Sequence, residues 1–286
     1  MIYDAFPFFN ELELLELRLH ELNEVVDRFV LAEATRTFTN QPKPSYFLQN
    51  RSAFAAFEHK LIHVLIEDMP GGNNPWVRED FQRNALSRGL TGCKPDDVVM
   101  VSDVDEIPSA ASVRQAIASL PYQDAPGTRL LHWALKQRPA TMLLRKWFKK
   151  NHPFVRVMDQ RMHMYHLNCA ARPPARWTGT RMTYYRDLST PNDLRRWKGR
   201  RIPNAGWHFS YMGGVDRVQT KLAAFSHQEF NVPEVASREA LAQTLDRGHN
   251  FIVPAERQYP MELDDSFPAY LLRNRKRFEH WLQPTQ

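Results

Sequence analysis

Residues 97–108 read DVVMVSDVDEIP: an apolar run, Val98–Val101, stops at a serine and two aspartates one residue apart. A short apolar run bounded by polar residues is a fully buried strand. Working outward, the same rhythm recurs toward the amino end. Residues 2–6 form a short apolar strand, and Asn10 with Glu13 sets a capping box ahead of Leu12, Leu15, Leu19 and Leu22. A second buried strand over 25–32 ends at Glu33, a short helix follows near 52–58, and residues 61–66 form a third strand. Asn74-Pro75 is a cap and first-turn pair opening a helix that stops before Gly89. Strand and helix in alternation predict an α/β fold, a mostly parallel doubly wound sheet with helices on both faces.

The second half carries a different pattern. Residues 128–134 and 141–148 read as paired strands around Arg138-Pro139, and 172–201 is basic and irregular. A strand over 205–211 precedes a helix with Val215, Val218, Leu222 and Phe225 on one face, and 266–282 reads as a terminal amphipathic helix. The expectation is one domain over 1–286 whose later half, from residue 109, caps the sheet built by residues 1–108.

Composition narrows the function classes. With 286 residues, 43% hydrophobic and 24% charged, the chain is globular rather than disordered or fibrous. It holds no eighteen-residue apolar run, and its first residues lack the basic region of a signal peptide, so a cytoplasmic protein is expected. Two cysteines, Cys93 and Cys169, make neither a disulfide framework nor a zinc site. The net charge of +6 is unevenly spread: residues 129–201 hold 18 Lys and Arg against three acids. A basic middle in an acidic frame fits a solvated face, phosphate-bearing ligands or an anionic membrane surface. Nucleic acid is not expected, because no finger, basic-zipper or RNA-recognition signature accompanies the charge.

The candidate site begins at the two aspartates. Ligands of open α/β sheets bind beyond the carboxyl ends of the strands, where Asp103 and Asp105 fall. In an extended chain, a spacing of two points both carboxylates to one side. Two neighbouring carboxylates resist joint ionisation unless a cation sits between them, and a hard divalent ion that also grips a diphosphate fulfils that need. Phe8 and Asn10 after the first strand, Glu33 after the second and Arg83 on the helix before the aspartates occupy matching places for a nucleotide. His208, between Trp207 and Phe209, is a third metal ligand or a core histidine. Glu229 and Glu106 are the candidates for a catalytic base. His163 and His166 have no acidic neighbour and read as structural.

With these residues in place, the chain resembles glycosyltransferase family 17. The matching segments are DAFPFFNELELLELRLHEL, QPKPSYF, the stretch from Trp76 to Arg83, SDVDEIP, GWHFSYMGG with KLAAFSHQE, and YLLRNRKRF near the end. The resemblance implies a GT-A fold, a UDP-sugar donor such as UDP-N-acetylglucosamine, a divalent cation (Mn²⁺ or Mg²⁺) and inversion at the sugar carbon. It assigns Asp103 and Asp105 to donor and metal binding, residues 1–108 to the nucleotide sugar and 109–286 to a saccharide acceptor. From the charge, and from Trp147, Phe148 and Trp197 among it, that acceptor is expected to be anionic or lipid-linked, with peripheral contact to an anionic membrane. A cation-dependent nucleotidyltransferase or phosphatase, and a non-catalytic carbohydrate-binding protein, remain open alternatives.

Overall fold

A computed structural model describes residues 1–120 and 152–285. Strand β1 (Ile2–Phe8) lies between β2 (Arg28–Ala34) and β4 (Val98–Val101), with β3 (Leu61–Ile66) beyond β2. These four strands run parallel, as their buried apolar runs require. The sheet continues past β4 through β10 (Arg181–Tyr184), β6 (His152–Met158) and β11 (Gly199–Ile202). Strand β10 is antiparallel to both its neighbours, and β11 is parallel to β6. The later half therefore completes the first sheet as well as capping it.

Side chains alternate across this sheet. Phe6, Phe29, Leu31 and Met100 pack under Leu15, Leu19 and Leu22 of α1 (Leu12–Leu22). Tyr3, Ala5, Val30, Ala32, Val99 and Val101 face the other way, toward Ala85 and Leu86. The short helix α2 (Tyr46–Gln49) precedes β3, and α3 (Pro75–Ala85) follows it. The Asn74 side chain accepts from the Trp76 amide at 3.0 Å, so the predicted cap is real.

A second sheet packs beside the first. Its order is β13 (Gln258–Pro260), β8 (Cys169–Ala171), β7 (Gln160–Met164), β12 (Gly206–Ser210) and β5 (Glu106–Pro108), with β9 (Arg176–Trp177) on β7. Gly206 opens β12 at φ +132°, against the Ile107 carbonyl and Pro108 Cα, where a Cβ would clash. Helices α4 (Ala110–Ala118), α5 (Pro191–Arg196), α6 (Gly214–Ala224), α7 (Pro233–Ala236), α8 (Arg238–Asp246) and α9 (Ala269–Arg273) complete the described chain. This is an α/β architecture of two mixed sheets flanked by helices, the first of them mostly parallel, and it is consistent with the GT-A-like expectation.

Three local expectations change. Asn10 does not cap α1: Glu11 turns back to accept from the Phe9 and Asn10 amides at 3.2 and 3.0 Å, and Glu13 pairs with Arg217. The terminal helix is broken at Asn274, where φ is −122°, into α9 and a 3₁₀ segment, Arg275–Trp281. The strands expected over 128–134 and 141–148, with Trp147 and Phe148, lie outside the described residues.

Candidate active site

The chain crosses from the first sheet to the second between β4 and β5, and the two aspartates sit in that crossing. The segment is a turn rather than an extended strand, and it is held from beneath by a buried cation. Arg18 of α1 pairs with Asp4 of β1, Nε to Oδ2 at 2.7 Å and Nη2 to Oδ1 at 2.6 Å. Its remaining donors reach the Ser102 hydroxyl at 2.5 Å and the carbonyls of Asp103, Val104 and Glu106 at 3.1, 3.3 and 2.8 Å. Four acceptors of the segment, one hydroxyl and three carbonyls, held on one rigid fork fix the turn's shape.

Above the turn, every aspartate oxygen faces a nitrogen. Asp103 accepts from Arg83 Nη2 at 3.1 Å and from Arg195 Nη2 of α5 at 2.9 Å. Asp105 accepts from Lys221 Nζ of α6 at 2.8 Å, and its other oxygen lies 3.5 Å from His208 Nε2. Burial alone would raise both acids. Arg195 and Arg83 outweigh it and hold Asp103 below the usual carboxylate range, and Lys221 and His208 do the same for Asp105. Burial likewise works against the Lys221 ammonium, yet Asp105 and then Glu11 keep it firmly protonated.

These groups line one cavity of about 630 Å³. Phe8, Phe9, Glu11, Lys43 and Arg83 come from the first sheet's side. Met162, Trp177, His208, Tyr211, Phe230 and Glu256 come from the later half. The Phe9 and Tyr46 rings meet edge to face at 6.0 Å, and the Lys43 ammonium lies 5.5 Å from the first and 5.3 Å from the second. The Phe9 ring thus lines the cavity beside a positive charge, backed by Tyr46.

Several residues expected at the site have other work. Glu33 is fully buried and accepts from the Phe47 and Leu48 amides at 2.8 and 3.4 Å, so it caps α2 instead of reading a base. Glu106 is fully buried too; it accepts from Arg195 at 2.7 and 2.9 Å, from the Asp103 amide at 3.0 Å and from the Trp177 indole. With four donors in place, Glu106 has no free lone pair for a substrate hydroxyl, and it is not the base. Glu229 is exposed, pairs with His227 at 2.6 Å and does not line the cavity. Asn10 borders a small neighbouring pocket only. Phe8 does line the cavity, although it is mostly packed against Phe47. Arg83 lines the cavity, pairs with Glu79 one turn earlier at 2.9 Å and donates to Asp103 at 3.1 Å. His163 is structural as expected: it is wholly buried between Phe209 and Phe267, and burial with Arg161 nearby pushes its imidazole down to about 3. Lys221, Arg195 and Arg18 carry the site and were not singled out by sequence.

Among the described residues no three His, Cys, Asp or Glu side chains converge as a ligand group. Asp105 Oδ1 and His208 Nε2 do converge, at 3.5 Å. Two ligands each about 2.1 Å from one ion stand roughly 3.0–3.5 Å apart, so this pair fits an ion whose other ligands are phosphate and water. His208 Nδ1 is buried and has no hydrogen-bond partner among the described residues. Asp103 belongs to the arginines. The residues present therefore fit a cation as a two-ligand site that needs a diphosphate to complete it.

Comparison with known proteins bears on this arrangement directly. Residues 1–138 match the model of glycosyltransferase family 17. The resemblance read from the sequence holds. Beta-1,4-mannosyl-glycoprotein 4-beta-N-acetylglucosaminyltransferase from Mus musculus and from Rattus norvegicus are each 26% identical over 310 residues. The alignments cover 99% of this chain and 54% of each relative; the Homo sapiens protein is 26% identical, with 98% and 55% covered. The chain thus spans about half the length of the curated relatives it matches. Their named acceptors are glycoproteins, which overturns the expectation of a cytoplasmic protein, since that rested only on the lack of a leader or a span. No helix among the described residues is long and apolar enough to cross a membrane, and that feature assigns no compartment.

Proposed function

We propose that the chain is an inverting glycosyltransferase that moves N-acetylglucosamine from UDP-N-acetylglucosamine to a hydroxyl of a saccharide acceptor. One observation carries the reading: a carboxylate pair at the carboxyl end of β4, clamped by Arg83, Arg195 and Lys221 inside a cavity shared by two sheets. A nucleotide rests against the first-sheet wall, with its base on Phe9 and the Lys43 charge beside it. The acceptor enters along the wall built by the later half.

In this reading a divalent cation, Mn²⁺ or Mg²⁺, is held by Asp105 and His208, and when bound it supplies positive charge to the departing diphosphate. Arg83, Arg195 and Lys221 add fixed positive charge around the same group, with no reorganisation at the moment of transfer. The acceptor oxygen forms its bond to the sugar carbon as the bond to the phosphate oxygen breaks, and the electron pair leaves with UDP. The acceptor proton passes to a carboxylate on the far wall. Glu256 is the carboxylate there and serves as the base; Asn250 Nδ2 donates to its Oε2 at 3.0 Å, which leaves Oε1 to take the proton.

The test is UDP release from a panel of UDP-sugars, with a mannose-containing oligosaccharide as acceptor and Mn²⁺ present. Acceptor-dependent release from UDP-N-acetylglucosamine is expected. Release of pyrophosphate or inorganic phosphate instead would favour the nucleotidyltransferase or phosphatase reading. Saccharide binding without turnover of any donor would favour a binding protein.

A further inference from the structure

The cavity mouth carries an exposed indole. Trp177 is 39% exposed and lines the cavity, whereas most aromatic side chains of the described core are buried. An exposed Trp costs apolar hydration, yet this one is anchored from three sides. Its Nε1 donates to the fully buried Glu106, whose other donors are Arg195 and the Asp103 amide. Its ring lies 4.9 Å from that of His208, inclined by 33°. Gly179, two residues on, leaves room for it: a Cβ there would fall on the Glu106 carboxylate and on the indole nitrogen.

A buried ion pair thus spends one of its hydrogen bonds on holding a solvent-facing ring still. An indole fixed at its polar edge offers a flat apolar face at little further entropic cost. A pyranose is the ligand of that chemistry: the C–H groups of one sugar face lie on the ring while the hydroxyls point outward to polar neighbours. Polar groups stand nearby on the same wall, with Asn250 and Glu256 lining the cavity. Arg176, the residue before Trp177, lines it too.

We propose that Trp177 is the platform on which the acceptor saccharide stacks, set in place by Glu106 and by the missing side chain at Gly179. The inference rests on the transferase reading for the word acceptor, and it assigns Glu106 the role of a positioning residue. Because the indole hangs from the same carboxylate that closes the Asp103 turn, the platform and the donor-side carboxylates are set in one rigid frame.

The test is direct binding, apart from turnover. Titration calorimetry with UDP and Mn²⁺ present measures the affinity of wild type, Trp177→Ala, Trp177→Phe and Gly179→Ala for a mannose trisaccharide and for N,N′-diacetylchitobiose. Wild type should bind at least one of them. Trp177→Ala should weaken that saccharide at least tenfold, Trp177→Phe less, and Gly179→Ala nearly as much as Trp177→Ala, while UDP affinity of the two Trp177 variants stays within twofold. Should Trp177→Ala not fold by circular dichroism, the Phe and Gly179 variants carry the comparison. Equal loss of UDP affinity would place the ring on the donor side and overturn the proposal, as would unchanged saccharide binding or none in wild type. Saccharide binding that depends on Trp177 without UDP release from any donor would leave the platform standing and sink the transferase reading alone.

Discussion

Arg18 and Asp4 face each other as a two-pronged ion pair at 2.6 and 2.7 Å, and neither side chain is exposed. The pair lies one layer below the aspartate turn, and the same guanidinium bonds three carbonyls of that turn. It governs both stability and the geometry of the site. Removing one partner of a buried pair leaves the other charged and alone. Arg18→Met should cost about 3–5 kcal/mol of folding free energy. Arg18→Lys should recover only part of that, because an ammonium does not present the fork. Urea unfolding of both variants checks this, and a loss below 1 kcal/mol for Arg18→Met would contradict it.

Asp105 and Asp103 differ in what their neutralisation leaves behind. Asp105→Asn leaves the Lys221 ammonium in the cavity wall with only the more distant Glu11, at 3.9 Å, as counter-charge, so it should lower stability by about 2–3 kcal/mol and reduce transfer at least a hundredfold. Asp103 is 28% exposed and its arginines keep Glu79 and Glu106 as partners, so Asp103→Asn should destabilise less. Parallel urea melts and UDP-release rates measure both effects. Near-normal transfer by folded Asp105→Asn would remove it from the reaction.

His208 gives a metal prediction independent of turnover. UDP should bind more tightly with Mn²⁺ than without it, and His208→Ala should lose at least about tenfold of that gain. Affinity for UDP alone should hardly move. Calorimetric titrations of both proteins with and without Mn²⁺ decide it; an equal Mn²⁺ effect in each would show that the imidazole is no ligand.

The buried His163 makes stability depend on pH in a defined direction. Burial holds its folded pKa near 3, below the ordinary value of 6.5, so the unfolded chain takes the proton first. The stabilisation is complete above about pH 6.5 and drains as pH falls toward 3, at up to about 1.4 kcal/mol per pH unit. Between pH 6.5 and 5 wild type should therefore lose roughly 2 kcal/mol that His163→Leu does not lose. Urea midpoints at the two pH values provide the comparison. Equal losses in both proteins would assign the effect to other groups.

What the sequence disclosed and what it hid follow one physical division. The strand before the aspartates, the edge strand at 61–66 and the Asn74 cap are written in local pattern, and the structure has them. The counter-ions of the aspartates are not local: Arg195 and Lys221 join them from 92 and 116 residues away. Glu33 stands at a strand end, as a ligand residue should, but the helix it caps arrives from thirteen residues later and takes both oxygens. Glu106 was visible as an acid beside the pair; its four donors were not. Arg18 did leave a trace, since it shares the buried stripe of Leu14 and Leu22 at helical spacing, where a charge requires a buried partner. The basic middle also reads differently once folded: Arg156, Arg181 and Arg195 are turned inward, so part of its charge is internal.

The join between β4 and β10 has a consequence for how the chain is made. Residues 1–138, the portion that matches the family, contain β4 but not the strand that closes its free side, which begins at Arg181. During synthesis the flank of Val98–Val101 stays open while about 80 further residues emerge, roughly 4–16 s at ordinary translation speeds. An unpaired apolar flank is a template for another chain. A fragment ending at residue 138 should therefore self-associate, and the nascent chain is open to the same pairing until residue 184 has emerged.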